Sequence, residues 1–119
     1  MSDSILRDKS KVFAKDIVFL CRALKQEDVE TALINQLLRC GTSVGANVHE
    51  ARYAQGTKDF ISKLEIALKE CNECEYWLSL FCDIGNLTNE TFTSFNNQII
   101  TIRRMLVSSI TTLKGKNQL

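Results

Sequence analysis

Four stretches of this chain repeat apolar or small residues at alternating steps of four and three, a period that only packed helices can use. The stripes are Leu6, Ser10, Phe13, Ile17, Leu20 and Leu24, then Leu33, Leu37, Cys40, Val44, Asn47 and Ala51. Phe60, Leu64, Ala67, Cys71, Cys74, Leu78 and Phe81 form the third. Phe92, Phe95, Ile99, Ile102, Leu106, Ser109 and Leu113 form the fourth. Proline, which would break such stretches, is absent.

Punctuation between the stripes sets the expected boundaries. Helix 1 runs from about Ser4 to Lys25, and helix 2 from about Val29 to Ala54, after the acidic QEDVE that suits a helix N-terminus. Gly56 is a plausible stop and Thr57 a plausible N-cap for helix 3, which ends near Asp83 where DIGNLTNE supplies a glycine. Thr88 with Thr91, or Asn89, opens helix 4, which ends near Lys114. Four long helices and short loops predict an all-α, antiparallel up-down-up-down four-helix bundle, a single domain over residues 1–119. With 45% hydrophobic and 24% charged residues the chain has the composition of a folded protein and not of a disordered one.

No stretch nears the roughly 20 apolar residues of a membrane span, and MSDSILRDKSKVF does not read as a signal peptide. Five cysteines without an export signal are expected to be reduced thiols in a cytoplasmic protein, mostly filling the core. Cys71 and Cys74 form one C-x-x-C, but it sits mid-helix with no second pair, so neither metal nor other cofactor is expected. GTSVG has neither the spacing nor the lysine of a phosphate loop, and Glu70, Glu73 and Glu75 are expected to point in different directions around helix 3. His49 and Glu50 have neither a nucleophile nor an orienting third group beside them, and no enzymatic activity is expected.

RCGTSVGANVHEARY, residues 39–53, continues the period of helix 2 with residues that usually end helices. Gly41 and Gly45 lie on one face with Ser43 and Ala46 alongside, so a neighbouring backbone is expected to cross closely there. That approach would offset the roughly 1 kcal/mol each glycine costs a helix relative to alanine. Asn47, on the core stripe, needs hydrogen-bond partners and would set register. Arg39, Ser43, Asn47 and Glu50 recur at helical spacing, and with Glu75 they are expected to form a polar network between helices 2 and 3.

RCGTSVGANVHEA, followed by DFISKLEIALKECNECEYWL, resembles the ribosomal-RNA intervening-sequence family of four-helix bundle proteins, most strongly over Gln36–Leu80. Some members are encoded within insertions in bacterial large-subunit ribosomal RNA genes. Many carry proline near the position of Gly45 and glycine where Ala51 stands, so this chain resembles a subgroup. It is also similar to the accessory variability determinant of diversity-generating retroelements, a pentameric bundle that binds nucleic acid through a basic surface and works with a reverse transcriptase. The resemblance implies a homopentamer, with RNA binding as one use of it, and implies no catalytic residues.

The net charge of +1 hides a segregation. Residues 1–26 carry six basic and three acidic side chains, and 86–119 four and one, whereas 27–56 carry two and four and 57–84 three and six. Helices 1 and 4 are neighbours in an up-down bundle, so Arg7, Lys11, Lys15, Arg22, Arg103, Arg104 and Lys114, together with Lys9, Lys25 and Lys116, are expected to share one side as a nucleic-acid surface. The same asymmetry would serve a rival use, docking the basic side of one subunit on the acidic side of the next. Tyr53, Tyr76 and Trp77 are the surface aromatics, all in the acidic half, which suits a protein interface better than RNA. Ile5, Val12 and Phe19 add a second apolar stripe to helix 1, a sign of self-association. The expected function is a non-enzymatic, oligomeric RNA-binding accessory protein. Its alternative is a homo-oligomeric scaffold for a protein partner.

Overall fold

The computed structural model describes residues 2–117, with side chains for 4–115. It contains four α-helices, α1 (Ser2–Leu24), α2 (Thr31–Ala51), α3 (Thr57–Asp83) and α4 (Asn89–Asn117), and no strand among the described residues. Each helix packs on its two ring neighbours, α1 on α2, α2 on α3, α3 on α4 and α4 on α1. The result is the expected antiparallel four-helix bundle, 53 Å long and 23 by 20 Å across.

Local chemistry explains most of the ends. α3 closes in a Schellman turn: Gly85 takes φ +91°, Asn86 N–H donates to the Phe81 carbonyl at 2.9 Å, and Gly85 N–H to that of Cys82 at 3.1 Å. Thr88 caps α4 by accepting the Thr91 N–H on its hydroxyl at 3.0 Å, as its spacing predicts. α2 stops at Ala51, three residues earlier than expected. Gly56 therefore precedes α3 as its N-cap instead of ending α2, and Thr57 is the first residue of α3. Gln55 N–H donates to the Asp59 carboxylate at 3.1 Å, which secures that entry.

Phe13, Ile17, Leu37, Val44, Leu64, Leu78, Phe81, Ile99, Ile102 and Leu106 are fully enclosed in one core. Its stripes depart from the sequence pattern in a consistent way. On α2 the buried positions are Ile34, Leu37, Cys40, Gly41, Val44, Val48 and Ala51, so Leu33 and Asn47 fall to the flank. Cys21, Ile61 and Ile110 are buried where Leu20, Phe60 and Ser109 were expected. Each shift is by a single residue, to the next position round the helix, while Leu24, Leu37, Ala51, Leu64, Phe81 and Leu106 stay buried as the stripes predict; the buried face of each helix is wide enough to hold more than one line of side chains.

Candidate nucleic-acid interface

The small residues of α2 do what their spacing implies. A Cβ on Gly45 would stand 3.2 Å from the Ser10 carbonyl oxygen, and one on Gly41 2.6 Å from the Ile17 side chain, so α1 is the helix that crosses closely. Ser10 is buried at this crossing and donates its hydroxyl to the Arg7 carbonyl at 3.0 Å, satisfying itself within its own helix.

Along the outer side of that crossing, between the two helices, runs an open groove of about 420 Å³. Arg7, Lys11, His49 and Arg52 line it, over a floor that includes Gly45 and Ala46. Among the described residues Asp8 is the only carboxylate in the lining. Tyr53 flanks the groove, its ring centroid 5.5 Å from that of His49 and 5.8 Å from the Arg52 guanidinium carbon. Lys15 and Arg22 follow Lys11 by one and three turns on the same flank of α1, and Arg22 also leans over the Phe19 ring at 5.8 Å.

The helix 4 cations turn elsewhere. Arg103 donates to Glu75 at 2.8 Å and Lys114 to Glu65 at 2.7 Å, both on α3. Arg104 is exposed, and Lys116 lies outside the described side chains. Helices 1 and 4 are neighbours as expected, yet their shared seam holds Lys9, Val12, Gln98 and Thr101, with Gln98 donating to Asp16 at 3.3 Å. The candidate cations thus form no single side: Arg7 and Lys11 of α1 face α2, Lys9 faces α4, and Arg103 and Lys114 of α4 face α3.

The expected polar network is also redistributed. Arg39 reaches α3, but its partners are Glu70, at 3.0 Å, and Glu73. The two carboxylates converge there instead of diverging. The Trp77 indole N–H adds a bond to Glu73 at 3.1 Å. The Arg39 guanidinium, helped by Trp77, holds the Glu73 carboxyl below its ordinary range, and Glu73 in turn raises Arg39. Glu75 belongs to Arg103, Glu50 is exposed, and Asn47 donates to the Ser43 carbonyl of its own helix at 2.8 Å, with no hydrogen bond to α3 among the described residues. Tyr76 is exposed and packs edge-on against half-buried Trp77 at 5.0 Å. Tyr53 lies near the other end of the bundle, about 28 Å away along α3 by helix rise, so the three aromatics are not one patch.

Within the core, the Cys74 thiol meets Cys40 at 3.3 Å, and Cys71 is buried beside them. Hydrogen bonding to Cys40, then burial, raises Cys74; burial pushes Cys71 up to about 12 and Cys21 to about 11. Cys21, Cys71 and Cys74 are therefore protonated core groups. Among the described residues no cluster of three or more His, Cys, Asp or Glu is arranged to hold a metal.

The 23S rRNA-intervening sequence protein family matches residues 2–108. The chain belongs to that family. A crystal structure of a protein with unknown function from the S23 ribosomal protein family of Bacteroides thetaiotaomicron is 47% identical and superposes with a TM-score of 0.90, over 93% of this chain and 99% of that one. No curated protein matches. In this member of the 23S rRNA-intervening sequence family, sequence reasoning missed Arg52 and His49 as groove residues. Their signal was present: Gly45, His49 and Arg52 follow each other by four and three, so the face that meets α1 at the glycine carries an imidazole one turn on and a guanidinium two turns on.

Proposed function

We propose that this protein is an RNA-binding accessory protein that acts in the cytoplasm by binding and not by chemistry, as a homo-oligomer. The observation that carries this reading is the row of α1 cations, Arg7, Lys11, Lys15 and Arg22, none of which meets a carboxylate at ion-pair distance among the described residues. Phosphate neutralisation releases condensed counterions, and it needs cations that are not already neutralised by the protein. Repetition around an oligomer would multiply that attraction.

Fluorescence anisotropy of a labelled structured RNA tests it. Binding by several Lys and Arg should weaken by orders of magnitude between about 50 and 200 mM salt. Lys11→Glu with Lys15→Glu should abolish it at unchanged mass by light scattering. Absence of binding even at the lower salt overturns the reading.

One observation favours a second reading, a homo-oligomeric scaffold that serves a protein partner without RNA. Ile5, Val12 and Phe19 recur every seven residues along α1 and are each about half exposed, the pattern of a helix seam awaiting another helix. If Val12→Glu with Phe19→Glu lowers the mass while the parent binds no RNA, the scaffold reading replaces the first.

A further inference from the structure

We infer that the α1–α2 groove is a site for single-stranded RNA, its phosphates held among Arg7, Lys11 and Arg52 and one unstacked base resting on Tyr53. This rests on the RNA-binding reading and adds where and in what form the RNA is held. Among the described residues three cations line the groove with one carboxylate and none of the three is ion-paired, so a phosphate displaces no carboxylate, and from Arg7 only a 3.3 Å bond donated to the Ser4 hydroxyl. The floor at Gly45 and Ala46 carries almost no side chain, which lets a phosphate come close to both helices. Arg7 and Lys11 are one turn apart, about 6 Å along the axis, a step comparable to that between consecutive phosphates of an extended strand.

Tyr53 decides between single strand and duplex. Tyr53 is 68% exposed, yet its ring lies against both His49 and Arg52, which line the groove. A duplex keeps its base faces stacked inside and offers such a ring nothing, whereas a single strand presents a base face next to each phosphate. Arg52 serves both parts of the site, as a phosphate donor and as a cation on the ring. The acidic segment that contains Tyr53 argued for a protein interface; folding sets it beside the α1 cations instead.

The test compares a short unstructured RNA with the same strand annealed to its complement, by anisotropy, on the full chain. The single strand should bind at least about tenfold more tightly, and Tyr53→Ala should remove about that factor for the single strand while leaving the duplex unchanged. Lys11→Ala and Arg52→Ala should weaken both RNAs and each lower the salt slope by somewhat under one. Ala46→Glu, a carboxylate on the exposed floor, should abolish single-strand binding. All four positions are exposed, and thermal melts by circular dichroism verify that the variants fold. Equal affinity for the two RNAs, or RNA binding unaffected by Tyr53→Ala and Ala46→Glu, overturns the groove site and leaves RNA binding standing elsewhere. Binding of neither RNA overturns both.

Discussion

Helix α2 meets α1 and α3 in opposite ways. Toward α1 it presents Gly41, Gly45 and Ala46, the backbones approach closely, and among the described residues no cation at the rim is ion-paired. Toward α3 it presents Cys40 and Arg39; thiols fill the interior and two carboxylates close over the guanidinium at the rim. A seam whose shape is fixed by backbone proximity needs no ion pairs across it. Its rim charges are therefore available to an outside partner, while those of the other seam are already committed.

The largest effect should come from breaking the close seam. At Gly45 the obstacle to any side chain is the Ser10 carbonyl, part of a helix backbone that cannot rotate aside. Overpacking of this kind costs about 1–3 kcal/mol and occasionally more, and Gly45→Leu is expected at or beyond the top of that range. Urea denaturation should find the variant unfolded or largely so. Parent-like stability and mass would mean that α1 can withdraw, and that the glycine is not what sets the seam.

Next in size is the alkaline limit, which probes the thiols inside both seams. Cys21 and Cys71 titrate near 9.0 when unfolded but at about 11 and 12 when folded. Between these values the unfolded chain has released protons that the folded chain retains, so stability is intact below about pH 9 and falls as pH rises. Each such thiol contributes a slope on the order of 1.4 kcal/mol per pH unit. Denaturant midpoints measured from pH 8 to 10.5 should decline, and Cys21→Val with Cys71→Val should flatten the decline.

These seams were unequally legible in the sequence. Helix number, the glycine stop after α3, the Thr88 cap of α4 and the small-residue crossing all follow from local chemistry and could be read directly, whereas the start of α3 fell one residue from the expected Thr57 cap. Partner choice across seams could not. Whether Arg39 reaches Glu70 and Glu73 or Glu75 depends on how α2 and α3 are rotated about their own axes, and that rotation turns Glu75 to Arg103 of α4. The groove combined residues from helices of opposite net charge, so segment charges pointed away from Arg52 and Tyr53.

Opening the rim of the committed seam should have a smaller effect. Arg39→Ala leaves Glu70, whose side chain is only 13% exposed, beside Glu73 without a cation. Arg39 itself is half exposed and screened, so about 1 kcal/mol is expected. The acid side gives an independent reading. Glu73 is held below its ordinary value of 4.5, so its contribution is present above that pH and is lost as pH falls through the lowered value. Arg39→Ala should remove that part of the acid sensitivity, as seen in urea midpoints between pH 5 and 3.

The smallest effect tests whether commitment or position makes a cation available. Lys114 and Lys11 are both exposed lysines on basic helices, but Lys114 is held by Glu65 at 2.7 Å with both side chains about half exposed. Such a pair contributes little, so Lys114→Ala should change stability by no more than about 0.5 kcal/mol, and Lys11→Ala, with no pair to lose, by no more. Urea curves should hardly separate the two. Their RNA affinities should, because only Lys11 gives up a phosphate contact. Equal losses of RNA binding would show that Glu65 yields Lys114 to the ligand, and the seam between α3 and α4 would then count as available too.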